Sequence, residues 1–74
     1  MIIVYYYYWK KESGFNSHWE QAEKIFYSVA MASRFCWSMK NRKMMLDGWS
    51  CDNPEDNQAM HQKVNIAKIN GWSI

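Results

Sequence analysis

The run Ile-Ile-Val-Tyr-Tyr-Tyr-Tyr-Trp at positions 2 to 9 constrains this chain more than any other stretch. Its residues are strand formers, and side chains alternate between the faces of a strand. Ile2, Val4, Tyr6 and Tyr8 therefore point one way and Ile3, Tyr5, Tyr7 and Trp9 the other, so neither face is polar. A chain of 74 residues forms one domain, residues 1 to 74, and buries only about 60% of the surface its unfolded form exposes. Covering both faces of such a strand is beyond a core of that size, which predicts that one face stays open.

The rest of the composition fits a small core filled by large side chains. Five Trp, five Tyr, three Phe and six Met stand against a single leucine, Leu46. Rings and thioethers fill volume with few residues, and Met adapts to irregular gaps. The net charge of +2 does not by itself imply a polyanionic partner. Arg34, Lys40, Arg42 and Lys43 lie in one stretch and Asp47, Asp52, Glu55 and Asp56 in the next, which reads as two solvated ends of adjoining elements. The apolar start is too short for a membrane span and lacks the basic segment of a signal peptide, so a cytoplasmic protein is expected. Cys36 and Cys51 lack paired spacing and read as reduced, small hydrophobes.

Along the chain, a charged loop from Lys10 to Asn16 follows the first strand. Asn16 or Ser17 then offers a helix cap, with Glu20 at capping-box distance from Ser17, and no Gly or Pro interrupts the chain from His18 to Asn41. One long amphipathic helix is predicted there. Its apolar side carries Ala22, Ile25, Phe26, Val29, Ala32, Ser33, Cys36 and Trp37, with Trp19 and Met39 at the margins. On its polar side, Tyr27, Met31 and Phe35 recur every fourth residue and form a narrow apolar seam. Residues 43 to 50 read as a second strand, parallel to the first and reached by a right-handed crossover, in preference to a hairpin about Asp47-Gly48. Asp52 or Asn53 caps a second helix with Pro54 in its first turn, and Glu55 and Asp56 complement its dipole. That helix carries a stripe of Met60, Val64 and Ala67 and ends at Gly71 in the left-handed conformation, with a third strand over 64 to 69 as the alternative. The echo of LDGWS at 46 to 50 in INGWS at 69 to 73 reads as two similar turns. The expected fold is α+β, a small β-α-β-α domain with the long helix packed on a minimal sheet of two or three strands.

No catalytic constellation is recognisable. His18, Cys36, Cys51 and His61 lack the close spacing of a zinc site, and Gly14, Gly48 and Gly71 are isolated, so no phosphate loop exists. A non-enzyme with no metal or cofactor is expected. Partner binding is expected at Tyr5, Tyr7 and Trp9 on the first strand and at Tyr27, Met31, Arg34 and Phe35 on the helix, residue types that anchor protein interfaces. An unpaired edge of the first strand would pair with its copy in a homodimer or with a strand of a target. The alternative is a single-stranded nucleic-acid binder whose Tyr5, Tyr7 and Trp9, spaced about 6.8 Å apart, stack bases, with Lys10, Lys11, Arg42 and Lys43 near the phosphates. A short, leucine-poor, aromatic-rich chain suggests a phage or mobile-element accessory protein that inhibits a host protein or defence complex, in the host cytoplasm and without a membrane partner.

Overall fold

The computed structural model describes residues 1 to 11 and 16 to 71. The order is β1 (Ile2–Lys11), β2 (Ser17–Phe26), α1 (Val29–Ser38), β3 (Met44–Cys51), α2 (Pro54–Lys63) and α3 (Ile66–Asn70). The class is α+β. Three strands form one antiparallel sheet in the order β2-β1-β3, with Ile2 opposite Phe26 on one side and Cys51 on the other. β1 is therefore the central strand, and both of its edges are taken. This corrects the expectation that β1 offers an edge to a second copy or to a target.

The long helix is corrected as well. Residues 17 to 26 pair along the whole of β1, and helix begins only at Val29, where the Ser28 hydroxyl accepts a hydrogen bond from the Met31 N–H. SHWEQAEKIF is rich in helix formers, but as a strand it gives ten residues of β1 their backbone partners, and tertiary pairing overrides local preference. Glu20 accordingly forms no capping box with Ser17. Its carboxylate meets His18 Nε2 at 2.8 Å, the contact that holds it below the usual carboxylate range. With the long crossover gone, β3 runs antiparallel to β1 and not parallel. It is one strand, as preferred over a hairpin, and Asp47 is the extra residue of a bulge: Gly48 faces Tyr5 and Leu46 faces Tyr6.

The later elements follow their local signals closely. Asn53 caps α2, accepting from the Asp56 N–H at 2.8 Å while its amide donates to Asp56 Oδ2 at 3.0 Å. Pro54 stands at the start of the helix. The chain then breaks at Val64 and Asn65 instead of continuing in one helix or turning into a strand, because Asn65 caps a new turn by accepting from the Lys68 N–H. Gly71 ends α3 at φ 73°. The second member of the LDGWS/INGWS echo includes Trp72, outside the described residues.

All helices lie on one side of the sheet. The buried core is Ile2, Val4, Ala32, Cys36, Met39, Leu46, Met60, Val64 and Ile69. Of the β1 residues in it, both belong to the even-numbered face. Tyr6 continues that face and meets Phe35 edge-on at 5.2 Å, and Phe35 in turn meets Phe26 at 5.2 Å. Trp37 Nε1 donates to the Lys63 carbonyl at 2.8 Å, tying α1 to the end of α2. At the outer edge of β3, the Asn70 amide accepts from the Leu46 N–H at 2.8 Å and donates to the Leu46 carbonyl at 3.0 Å, standing in for a neighbouring strand at that residue.

Candidate interaction face

Since β1 is central and its even residues Ile2, Val4 and Tyr6 pack on the helix side, Ile3, Tyr5, Tyr7 and Trp9 face the other way. Residues opposite each other in an antiparallel pair share a face. The register thus adds Ile25 beside Ile3, Glu23 beside Tyr5, Gln21 beside Tyr7 and Trp19 beside Trp9 from β2. From β3 it adds Ser50, Gly48 and Met45. No residue of this face is buried, and among the described residues no helix covers it. Trp19 is 44% and Ile25 50% exposed, while Ile3, Tyr5, Tyr7, Trp9 and Met45 are half-buried.

The face has two chemically distinct ends. Trp9 and Trp19 meet edge-on at 5.4 Å between ring centroids, and the Trp9 N–H donates to the Lys43 carbonyl at 3.0 Å, which places Lys43 beside this tryptophan pair. Lys11 follows Trp9 on the same face by alternation. Tyr5, Gln21, Ala22 and Glu23 line an open depression of about 320 Å³ nearer the other end, where Glu23 supplies the negative charge. Flat aromatic area with scattered polar groups suits contact with another macromolecule, and the face holds no paired nucleophile and base.

The expected site residues divide between two surfaces. Tyr5, Tyr7 and Trp9 are together on the open face. Tyr27, Met31, Arg34 and Phe35 belong to the helix layer behind it and form no seam. Tyr27 precedes the helix and is 85% exposed, Met31 is 56% exposed, Arg34 is exposed, and Phe35 packs under Tyr6 and Phe26. The Lys24 ammonium lies 5.2 Å from the Phe35 ring centroid and 5.7 Å from that of Phe26. Of the basic residues, Lys11 and Lys43 adjoin the aromatic row, Lys10 projects to the opposite face, and Arg42 lies in the exposed turn after α1. Sequence reasoning placed Ile3 on this face without naming it as a site residue, and it missed Trp19, Ile25 and Met45. Trp19 and Ile25 were hidden by the helical reading of 17 to 26. The signal that would have found them is the Gly- and Asn-containing segment at 12 to 16 between two apolar-ended runs, the pattern of a hairpin.

Both cysteines are free thiols, and burial pushes the Cys36 thiol up to about 11, far from an activated nucleophile. Among the described residues no three of His, Cys, Asp and Glu gather as a metal site, and no helix is long and apolar enough to cross a membrane. The chain matches no protein-family model, no curated protein and no solved structure.

Proposed function

We propose that this chain is a small non-enzymatic interaction protein that grips a protein partner through the uncovered sheet face, with Tyr5, Tyr7, Trp9 and Trp19 as anchors. The observation that carries the reading is the one-sidedness of the core: among the described residues every buried one lies on the helix side, while seven large apolar side chains stand on a face with no helix over it. Contiguous apolar patches of this kind mark interaction sites, and aromatic residues dominate binding energetics there. On composition alone we place the protein among phage or mobile-element accessory factors that bind and inhibit a host protein or defence complex inside the host cell. The test is affinity capture from host lysate, with and without nuclease, comparing the wild type with a Tyr7→Thr/Trp9→Thr variant that keeps strand propensity. Nuclease-resistant protein capture, lost in the variant but kept in Met31→Ser on the other surface, is the expected result. Equal capture by wild type and variant sinks the proposal.

Lys11 and Lys43 beside the Trp9–Trp19 pair favour one second reading, a single-stranded nucleic-acid platform. Two lysines neutralise about two phosphates, which predicts a slope of only about −1.4 for log affinity against log salt. Glu23 on the same face opposes even that. A steeper slope with oligonucleotides, together with nuclease-sensitive capture, would promote this reading above the first.

A further inference from the structure

We infer that the outer edge of β2 is a homodimerisation edge, where two copies pair antiparallel about a two-fold axis at Ala22. Three contacts show which backbone groups of the edge strand point outward. The Trp9 N–H and the Met1 carbonyl bond toward the β3 side, and the Leu46 N–H and C=O opposite Tyr6 point away from β1 to Asn70. In a regular antiparallel ladder, alternate residues address opposite neighbours. The odd residues of β1 therefore bond to β3 and the even ones to β2. On β2 the even residues 18 to 26 face β1, leaving the N–H and C=O of Ser17, Trp19, Gln21, Glu23 and Ile25 pointing outward. Among the described residues, none of these groups has a hydrogen-bond partner.

Charge selects the occupant and its register. Pairing β2 with its own copy about Ala22 sets Gln21 and Glu23 opposite each other as hydrogen-bonded pairs, which is the geometry the outward groups allow. Glu20 then stands opposite Lys24, and this ion pair occurs twice by symmetry, at the non-hydrogen-bonded positions where side chains are closest. Trp19 stands opposite Ile25, an aromatic and β-branched pair on the open face. Axes at Glu20, Glu23 or Lys24 would set identical charges against each other. An axis at Gln21 would leave Glu20 against Ala22 and Glu23 against Trp19, with no ion pair. A shift of one residue would oppose outward-facing groups to inward-facing ones. Of these registers, the Ala22 axis alone matches both hydrogen bonding and charge. The product is a six-stranded sheet in the order β3-β1-β2-β2-β1-β3, an isologous dimer in which two aromatic faces run together. This inference stands independently of what the open face binds.

Sedimentation equilibrium of the wild type should show a dimer. Glu20→Lys and Lys24→Glu each replace two attractive pairs by two repulsive ones and should weaken association by about tenfold or more, with the circular dichroism unchanged. The double swap Glu20→Lys/Lys24→Glu should restore the dimer. In a Cys51→Ala background, Ala22→Cys should cross-link on mild oxidation, since its Cα separation across the axis is about 4.5 Å, whereas Trp19→Cys should not. A wild type that stays monomeric at every concentration overturns the inference. So do single reversals that leave association unchanged, a double swap that remains monomeric, and cross-linking at 19 in place of 22.

Discussion

Cys36 and Asn70 show how much a single residue does here. Cys36 is fully enclosed, and burial holds its thiol at about 11, against the ordinary value near 9 that it regains on unfolding. Below pH 9 neither state ionises it, and above that the unfolded chain sheds the proton while the folded one keeps it. Its contribution to stability therefore falls between about pH 9 and 11, by roughly 2 to 3 kcal/mol in all. Urea titrations across this range should show a steeper decline for the wild type than for Cys36→Ala. Native protein at pH 8 should leave Cys36 unlabelled by thiol reagents until unfolded. Asn70 acts through two hydrogen bonds to the Leu46 backbone. Asn70→Ala leaves both groups without this partner, and a loss of about 1 to 3 kcal/mol is expected in the same titration. A loss under a few tenths would mean that water replaces the amide.

Among the elements, β2 and α2 respond to opposite influences. The start of α2 is local: Asn53, Pro54 and Asp56 build the cap themselves, so Asn53→Ala should cost about 1 kcal/mol in thermal or urea unfolding. β2 is strand only because β1 lies beside it. A peptide of residues 17 to 38 should show helical circular dichroism in trifluoroethanol, and the same segment in the intact protein should give a strand signature by NMR chemical shifts. Strand formation by the free peptide would refute the claim of tertiary override. The α1 half of the misread helix fares better, because Ala32, Cys36 and Met39 are buried as the wheel requires.

At the scale of the whole molecule, the body is thin and long, 45 × 27 × 14 Å, with a radius of gyration of 13.3 Å where about 11 Å is usual for this length. The distal half of the hairpin accounts for the difference: no residue of 8 to 11 or 17 to 21 is buried. Amide hydrogen exchange should accordingly be slowest in the Ile2–Tyr6 half of the central strand and faster toward Lys11. The amides of Trp19, Gln21 and Glu23 should exchange quickly in a dilute monomer and gain protection as concentration rises. The first of these patterns tests the topology and the second the dimer. A protein with one covered face and one bare face keeps a small core dry on the helix side and leaves its aromatic surface free for contact.

Local chemistry determined what a few neighbouring residues settle among themselves. The strand character and bipolar greasiness of residues 2 to 9, the capped start of α2 and the left-handed stop at Gly71 were legible because each depends on groups within a few positions. Tyr5, Tyr7 and Trp9 could be named as a row for the same reason. Which face lay bare, that β1 is central, and that residues 17 to 26 abandon a helix were decided only when distant segments met. Backbone hydrogen bonds between strands and the burial of one face are long-range energies, and they exceed the small preferences that a single segment carries.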